Sequence, residues 1–342
     1  MKTFLHTPVS PITLDDVHDV EKLVEKMGKT AFQGKNISIA KDIWVNMVQD
    51  ETTIFLGLAG AMVPAGMRKL VASLIEERLI DCIVSTGANL FHDCHESLGR
   101  VHWQGNPHVD DEDLFEKGID RIYDVFAEEK EFEKTDEFVE KLARELEQDR
   151  PYTTREFLYL LGKEISTEGN EEGILTSAYK AEIPIYCPAI ADSAIGISVA
   201  LERYEGKSSI QLDTIADILE LAEIVGHSES TGVIYIGGGV PKNFIQQAQV
   251  VARFLDIQRP HGHKYGIQIS TDAPHWGGLS GCTFREAKSW GKIASEAMCV
   301  SVYSDATIAF PLIAGATLSS TKELLKKRKF PSFKMGKKLE VL

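Results

Sequence analysis

The chain has 342 residues, of which 43% are hydrophobic and 26% are charged, as in ordinary globular proteins. Its formal net charge of −14 argues against nucleic acid as a partner for the body of the protein and would attract cationic ligands. Acidity can also serve solubility alone, and both interpretations stay open. No apolar stretch is long and uncharged enough to cross a bilayer, so we expect no membrane partner.

The five cysteines are an odd number and include no Cys-x-x-Cys pair. They are Cys82, Cys94, Cys187, Cys282 and Cys299. This usage favours reduced thiols over a disulfide framework or a zinc site. Residues 1–8 contain no signal-peptide core. We therefore expect a cytoplasmic protein.

Strands and helices alternate along the chain. The patterns predict helices over 14–27, 66–77, 213–225 and 244–254. They predict strands over 53–58, 80–87, 183–187, 232–236, 265–271 and 300–303. Such alternation is typical of a parallel sheet with crossover helices. Because no linker or short repeat divides residues 1–342, we predict one α/β domain with a doubly wound, mostly parallel, Rossmann-like sheet flanked by helices.

Two segments differ in composition from the rest. Residues 110–150 are rich in charged residues with aromatic residues among them, which predicts a charged helical insertion packed on the sheet through its rings. Those rings are Phe115, Tyr123, Phe126, Phe132 and Phe138. Residues 322–342 form a basic tail. We interpret it as a solvated helix end and a frayed terminus, although a basic tail can also bind nucleic acid or anionic lipid.

The segment 285–293 carries the most informative chemistry. Lys292 follows Trp290 by two residues and Glu286 by six. A free lysine has a pKa of about 10.4, and burial against an aromatic ring lowers it, because burial penalises the charged form. A neutral amine can form a Schiff base, while the indole and the carboxylate suit a cationic substrate. The alternative is a solvated lysine beside a core tryptophan, but the apolar run after Lys292 favours burial.

Loops with small and polar residues follow several predicted strands. Gly237-Gly238-Gly239 lies between a strand and a helix and suits a dinucleotide phosphate, although a glycine run is often only a turn. Thr86-Gly87, Asp192 and Asp305-Ala306 occupy similar positions. In an open parallel sheet, ligands gather beyond these strand ends. Helix capping is the alternative for such residues.

Four histidines provide ligand types for a metal but not the spacing. They are His92, His95, His102 and His108. The common zinc helix has histidines four apart with a glutamate between, and His92-x-x-His95 differs from it. We therefore predict no metal site and expect these histidines to shape a pocket.

Four stretches together resemble the deoxyhypusine synthase family. Residues 286–293, Glu-Ala-Lys-Ser-Trp-Gly-Lys-Ile, are similar to the segment around that family's catalytic lysine. The others are 188–196 (Pro-Ala-Ile-Ala-Asp-Ser-Ala-Ile-Gly), 236–242 (Ile-Gly-Gly-Gly-Val-Pro-Lys) and 302–306 (Val-Tyr-Ser-Asp-Ala), which leads to 310–312. The likeness runs from about residue 31 to about residue 315.

The resemblance implies a deoxyhypusine synthase-like domain that binds NAD and has its catalytic lysine at Lys292. The cofactor-binding positions that it implies are Thr86, Gly87, Asp192, Gly237, Gly238, Gly239, Thr271, Asp305 and Ala306. The substrate-binding positions are Glu286, Trp290, Asn243 and Ser280. The family usually forms tetramers with active sites shared across dimer interfaces, so we expect a homo-oligomer.

Three positions depart from the family pattern. Asn243 stands where the family has a histidine for acid–base chemistry, and Ile197 and Leu279 stand where it has aspartates for the amine. Each lost carboxylate removes a partner for an ammonium, and an unpaired buried charge is costly. The pocket should therefore hold an amine with fewer or differently placed charges. Side chains that could replace the lost groups are Asp272, His275 and His95.

These features favour an NAD-dependent aminobutyl transferase that works through an imine and a Schiff base on Lys292. The expected partners are small diamines or polyamines, with an acceptor such as putrescine, as in the homospermidine-forming enzymes that resemble this family. A protein lysine, as in deoxyhypusine formation, is the disfavoured acceptor. Two alternatives stay open, a plain NAD-dependent amine oxidoreductase and a non-catalytic binding protein.

Overall fold

The computed structural model describes residues 7–257 and 262–342. The N-terminal segment 1–8 was predicted to contain no signal-peptide core, and its residues 1–6 lie outside the described residues. The helices are α1 (Val20–Met27), α2 (Phe32–Gln49), α3 (Arg68–Glu76), α4 (Gly87–Ser97), α5 (Asp111–Glu116), α6 (Glu129–Glu145), α7 (Thr154–Glu168), α8 (Ile174–Ala181), α9 (Ala194–Tyr204), α10 (Thr214–His227), α11 (Gly239–Phe254), α12 (Phe284–Ser289) and α13 (Ala306–Leu325). The strands are β1 (Thr53–Leu58), β2 (Cys82–Ser85), β3 (Trp103–Gln104), β4 (Ile119–Ile122), β5 (Val125–Glu128), β6 (Pro151–Tyr152), β7 (Ile185–Tyr186), β8 (Gln211–Leu212), β9 (Thr231–Ile236), β10 (His263–Ile269), β11 (Ile293–Val302), β12 (Phe333–Met335) and β13 (Leu339–Val341).

A parallel sheet of six strands forms the centre of the fold, in the order β11-β10-β9-β1-β2-β7. The chain first builds outwards from β1 through β2 to β7, and later from β9 through β10 to β11 on the other side. The winding direction therefore changes between β1 and β9, and open α/β sheets bind ligands beyond the carboxyl ends at such a switch point. The predicted α/β fold with a doubly wound, mostly parallel sheet is confirmed.

The central strand β1 shows how the sheet is buried on both faces. All six of its residues are buried, as expected for a central parallel strand. Ile54, Leu56 and Leu58 belong to one apolar cluster with Trp44 of α2 and with residues of α13. Phe55 belongs to a second cluster, with residues of α10, α11 and α12. Helices thus cover both faces, and the second face carries the candidate site.

Most predicted elements are present with shifted boundaries. β1 coincides with the strand predicted over 53–58. The helix predicted over 14–27 is wrong in its first half, because the Asp19 side chain accepts a hydrogen bond from the Lys22 backbone and starts α1 there. The last predicted helix and strand begin earlier than expected, at Gly239 and Ile293. Among the described residues, no helix is both long and apolar enough to cross a bilayer.

The segment 110–150 is only partly helical, so the prediction of a charged helical insertion is corrected. Strands β4 and β5 form an antiparallel hairpin between α5 and α6, and β3 pairs with β5. The chain reverses at Tyr123, whose φ is +54°. Phe132 and Phe138 pack against the core as predicted, but Phe115 and Tyr123 are exposed. Tyr123 lies at the tip of the hairpin, and Phe115 lies on α5, where Leu114 is the buried residue.

The basic tail has more structure than predicted. After α13, strands β12 and β13 form an antiparallel hairpin in which Phe333 is buried. The Arg328 guanidinium is buried and lies 2.5 Å from an Asp81 carboxylate oxygen. Arg328 also donates to the carbonyl of Thr52 at 2.6 Å. The expectation of a solvated helix end and a frayed terminus is therefore wrong for these residues, because they find partners in the body of the protein.

The buried Arg328–Asp81 pair yields a prediction about stability. The substitution Arg328→Met leaves the Asp81 carboxylate buried without its cation, and we expect the free energy of unfolding to fall by about 3–5 kcal/mol. Urea denaturation followed by circular dichroism measures this change. The matched control is Lys326→Met, which removes an exposed ion pair with Glu323 and should have little effect. Equal losses in the two variants would contradict the prediction.

Candidate active site

Lys292 lies in the turn between α12 and β11. Gly291 has a φ of +69°, a conformation that glycine adopts readily, and it directs the chain into β11. The backbone N–H of His263 donates to the Lys292 carbonyl at 3.0 Å, which ties this turn to β10. The turn places the Lys292 side chain against α11, and only 8% of the residue is exposed. The predicted burial of this lysine is thus what the structure shows.

The Lys292 side chain opens into a pocket of about 290 Å³, called the lysine pocket below. Its other lining residues come from α11, from the loop after β10 and from α12: Asn243, Gln246, Pro274, Gly277, Gly278, Leu279, Cys282, Glu286, Ala287 and Trp290. Lys292 Nζ donates a hydrogen bond to Asn243 Oδ1 at 3.0 Å. The structure therefore brings four of the predicted site residues together, namely Lys292, Asn243, Glu286 and Trp290.

The pKa of Lys292 is lowered from the ordinary lysine value. Burial is the main cause, because it penalises the ammonium form, and the neighbouring Cys282 acts weakly in the other direction. The Trp290 ring centroid lies 5.4 Å from Nζ, within the range of a cation–π contact. Trp290 and Glu286 are themselves exposed, so they stand at the mouth of the lysine pocket. An incoming ammonium would therefore meet these two side chains before it meets Lys292.

A second buried lysine, Lys242, holds the loop that roofs the lysine pocket. Its Nζ donates to Gln268 Oε1 at 3.0 Å and to the carbonyls of Ser280 at 3.3 Å and Cys282 at 2.5 Å. Burial lowers the pKa of Lys242 to about 8. Ser280, predicted to bind substrate, does not line the pocket; its Oγ accepts from the Gly239 N–H at 3.1 Å. Ser280 thus fastens the roof to the glycine run.

The three glycines follow β9 at the switch point of the sheet. Gly237 and Gly239 have φ values of +72° and +59°, which favour glycine. A side chain on Gly238 would place its Cβ 2.5 Å from Ser280 Cα, so glycine is required for close packing there. α11 begins at Gly239, one turn before Asn243, and the N–H groups of a helix N-terminus suit a phosphate. The glycine run and the lysine pocket are therefore adjacent along one helix.

Thr86, Gly87 and Asp192 lie at the other end of the sheet, beyond β2 and β7. Thr86 Oγ1 accepts a hydrogen bond from the Asn89 side chain at 3.1 Å. Gly87 begins α4, and a Cβ there would lie 2.3 Å from Ser193 Oγ, so packing alone requires this glycine. Asp192 is exposed, just before α9. None of these residues lines the lysine pocket.

Thr271, Asp305 and Ala306 follow β10 and β11. Thr271 is exposed in the loop that continues into the roof of the lysine pocket. Asp305 Oδ1 accepts from the Thr307 backbone at 2.7 Å and from the Thr307 hydroxyl at 2.5 Å. Asp305 thus caps α13, whose first residue is Ala306. The sequence analysis left helix capping open as an alternative role for Asp305, and the structure shows this capping. A ligand that bound Asp305 would therefore share its carboxylate with the N-terminus of α13.

The cofactor positions implied by the resemblance fall into two groups. The first follows β9, β10 and β11, next to the lysine pocket, and the second follows β2 and β7. β7 and β11 are the two edge strands of the sheet, and five spacings of about 4.8 Å separate them. Asp192 follows β7, whereas Lys292 precedes β11 and its side chain reaches α11. Ile197 is exposed on α9.

The histidines form a cluster between α4 and α6, away from the lysine pocket. His92 and His102 share a hydrogen bond of 2.9 Å, and His102 Nδ1 lies 2.7 Å from a Glu96 carboxylate oxygen. Burial lowers the pKa of His92 to about 3 and that of His95 to about 4. In residues 7–257 and 262–342, no group of three or more histidine, cysteine or acidic side chains could hold a metal ion. His95 is also too remote to replace a carboxylate in the lysine pocket.

The sequence analysis assigned no site role to three residues in or around the lysine pocket, namely Gln246, Lys242 and Cys282. Gln246 follows Asn243 by three residues, and helical spacing would have placed both on one face of α11. Lys242 belongs to the stretch 236–242, which resembles the family. Its contacts, however, depend on the roof loop after β10 folding back over α11. Cys282 is reached through that same loop, so no local pattern identifies it.

The fold and the site together define an open, doubly wound α/β protein with a buried lysine in a pocket beside its glycine-rich switch point. The family model described as deoxyhypusine synthase matches residues 22–317. The Methanosarcina acetivorans protein named "Probable deoxyhypusine synthase 2" is 50% identical over 332 residues, 96% of this chain and 94% of that protein. A second protein of that organism, named "Probable deoxyhypusine synthase 1", is 40% identical over 313 residues, 91% of this chain and 95% of that protein.

The crystal structure of an Entamoeba histolytica protein assigned as a deoxyhypusine synthase shares the fold, with a TM-score of 0.63 at 20% identity. The match covers 92% of this chain and 98% of that one. The chain belongs to the deoxyhypusine synthase family, a family of NAD-dependent aminobutyl transferases. The resemblance inferred from the sequence is thereby confirmed.

The burial of Lys292 yields a prediction about its titration. Carbon-13 dimethylation followed by NMR should show Lys292 titrating below an ordinary lysine, because burial disfavours its charged form. Lys264 is the internal control, since its hydrogen bond to Asp50 raises its pKa. The substitution Asn243→Asp should raise the Lys292 midpoint, because a carboxylate favours the ammonium. A Lys292 midpoint equal to that of Lys264 would show that the amine is not desolvated.

Proposed function

We propose that this protein is an NAD-dependent aminobutyl transferase that joins small amines, in the manner of homospermidine-forming enzymes. One observation carries the proposal: the Lys292 amine is buried 3.0 Å from a side chain that cannot titrate, Asn243. The amine opens into a small pocket next to the glycine run. This is the environment in which a lysine stays neutral and nucleophilic.

The residues at the switch point fit NAD. Gly237, Gly238 and Gly239 would hold its phosphates, because beyond its chain neighbours and the backbone of its own helix no described atom lies within 4 Å of the place where a Gly239 Cβ would stand. Asp305 and Asp192 would accept hydrogen bonds from ribose hydroxyls. Thr86, Gly87, Thr271 and Ala306 complete the proposed set. When bound, NAD would supply a reversible hydride acceptor that converts the donor amine to an imine and reduces the product imine.

Lys292 performs the transfer between those two redox events. Its Nζ lone pair adds to the imine carbon, and the nitrogen of that imine takes up a proton and leaves the same carbon as an amine. The alkyl group then remains on Lys292 as a Schiff base. An acceptor amine adds to the same carbon, the bond from carbon to Nζ breaks, and Lys292 is released as a free amine. The acceptor now carries the imine.

Asn243 positions Lys292 in this scheme but moves no proton. Its Oδ1 accepts an N–H of Lys292, which directs the Nζ lone pair towards the rest of the pocket. Because an amide does not titrate, protons pass between Lys292, the amines and the other titratable side chains of the pocket, Cys282 and Glu286. Leu279 and Ala287 add apolar walls that keep water from the imine, which it would hydrolyse.

Two observations favour a small amine over a protein lysine as the acceptor. A volume of about 290 Å³ lies at the small end of ligand pockets, which span about 300–1,000 Å³. Of the described residues that line the pocket, Glu286 is the one carboxylate, so it holds one ammonium.

The proposal predicts that Lys292 carries the substrate carbon. A donor triamine labelled in its butyl group, incubated with NAD and putrescine, should give a labelled secondary amine, and borohydride should trap label on Lys292. The substitution Lys292→Ala should reduce transfer by about 1,000-fold or more. The control Lys288→Ala removes an exposed lysine of the same segment and should retain transfer. Mass spectrometry of the product and of tryptic peptides measures both outcomes.

The same experiment separates the competing functions. Label transferred to a protein lysine and absent from putrescine would make the protein acceptor correct. NADH formation that persists in Lys292→Ala without any trapped carbon would make the enzyme a plain oxidoreductase. The absence of both NAD binding and trapping in the wild type would exclude catalysis on this pocket.

We also propose that a second copy of the chain completes the site. Asp192 follows one edge strand of the sheet, β7, and does not line the lysine pocket, and the resemblance implies sites shared between subunits. Mixing equal amounts of Lys292→Ala and Asp192→Ala subunits should restore about a quarter of wild-type activity, because half of random dimers contain one intact site of two.

This complementation has a clear control and a clear failure. Mixing Lys292→Ala with itself should restore nothing, whatever the state of assembly. If Asp192 acts in the same subunit as Lys292, the mixture of the two variants also stays inactive. Sedimentation of each variant confirms that its oligomeric state matches that of the wild type.

A further inference from the structure

The wall of the lysine pocket contains a polar side chain that is not used within the protein. Gln246 on α11 lines the pocket and is 2% exposed. Its Nε2 has no hydrogen-bond partner among the described residues, and the same holds for the buried Tyr235 hydroxyl beside it. Burial raises the pKa of Tyr235 well above its ordinary value, and the nearby Gln246 amide acts in the opposite direction, although no hydrogen bond of normal geometry joins the two side chains.

Such a group needs an explanation, because buried amides in native proteins nearly always have partners. Its neighbours on α11 are all engaged: Lys242 makes three hydrogen bonds, and Asn243 accepts from Lys292. Gln246 lies three residues from Asn243, so the two amides stand on the same face of the helix. A ligand bound against Lys292 is therefore within reach of both.

The charges around Gln246 decide what that ligand can be. The ionisable side chains that line the pocket are Lys292, Cys282 and Glu286. Of the groups outside the lining, Tyr235 has Cys282 as an electrostatic neighbour, and Lys242 has Asp272 as one. Glu286 and Asp272 are both exposed. Away from its mouth, the described lining of the pocket thus contains one lysine and no carboxylate. A nitrogen placed there is favoured as a neutral amine, which both donates and accepts hydrogen bonds, as an amide does.

We propose that Gln246 is a specificity-determining residue that hydrogen-bonds the uncharged reacting nitrogen of the amine bound against Lys292. This inference rests on the proposed transfer at Lys292. The amide provides the contact without adding charge, so the nitrogen can lose its proton before hydride leaves the adjacent carbon. The preferred substrates are then amines whose distant ammonium pairs with Glu286 and whose reacting end is neutral.

Two substitutions at Gln246 test the inference through pH profiles. Gln246→Leu removes the hydrogen bonds, and we expect kcat/KM for the amine to fall about 10-fold with the same pH dependence. Gln246→Glu places a carboxylate beside the reacting nitrogen and stabilises its ammonium form. We therefore expect the acid limb of the kcat profile to move to higher pH, because the proton is lost less readily. Gln211→Leu, an exposed glutamine on β8, is the control.

Binding without reaction provides the second measurement. In a Lys292→Met background, calorimetry of putrescine should show weaker binding for Gln246→Leu, and tighter binding at low pH for Gln246→Glu. Unchanged affinities and unchanged pH profiles in both Gln246 variants would overturn the inference and would mean that a buried water satisfies the amide. If the Gln246 inference fails but borohydride still traps substrate carbon on Lys292 of the wild-type protein, the proposed function stands. If no carbon is trapped on Lys292, the proposed function fails as well.

Discussion

The site depends on keeping the Lys292 amine away from water without giving it a charged partner. A buried ammonium is costly, and a carboxylate beside it would stabilise the charged form that cannot act as a nucleophile. Asn243 avoids this outcome, because an amide oxygen accepts the N–H of Lys292 and carries no net charge. The turn at Gly291 and the backbone bond from His263 fix the start of β11, so the amine meets solvent only through the lysine pocket among the described residues. Burial lowers its pKa and so favours the neutral form that the proposed transfer requires.

The contrast between the two buried lysines supports this interpretation. Lys242 uses all three donors of its ammonium on acceptors from β10 and the roof loop, and so it serves as a structural cation despite a pKa of about 8. Within residues 7–257 and 262–342, Lys292 has a single hydrogen-bond acceptor, Asn243, and it lines an open pocket. Removing Lys242 would release the roof that carries Leu279 and Cys282, and with it the shelter of Lys292. The number of hydrogen-bond acceptors thus distinguishes Lys242, which has a structural role, from Lys292, the proposed nucleophile.

The sequence predicted those strands and site residues whose pattern lies within one short segment. β1 and β9 are continuous apolar runs that end in small residues, and Lys292 shares one short segment with Glu286 and Trp290. α13 escaped prediction because it is apolar on most sides and contains Pro311, so it has no clear helical period. The β4–β5 hairpin escaped because its turn, at Tyr123, has no glycine. The role of Gln246 and the contacts of Lys242 depend on the roof loop, which folds back across α11. Such contacts between distant segments cannot be predicted from the pattern of one segment.

The distribution of charge connects the whole surface to the pocket. A net charge of −14 draws polycations towards the protein, while Glu286 is the one carboxylate among the described residues that line the lysine pocket. Attraction over long range is therefore strong, but pairing inside the pocket is limited to one ammonium. Leu279 is apolar and Asn243 is uncharged, so neither provides a partner for a second ammonium. The remaining charges of a bound polyamine would therefore stay in water.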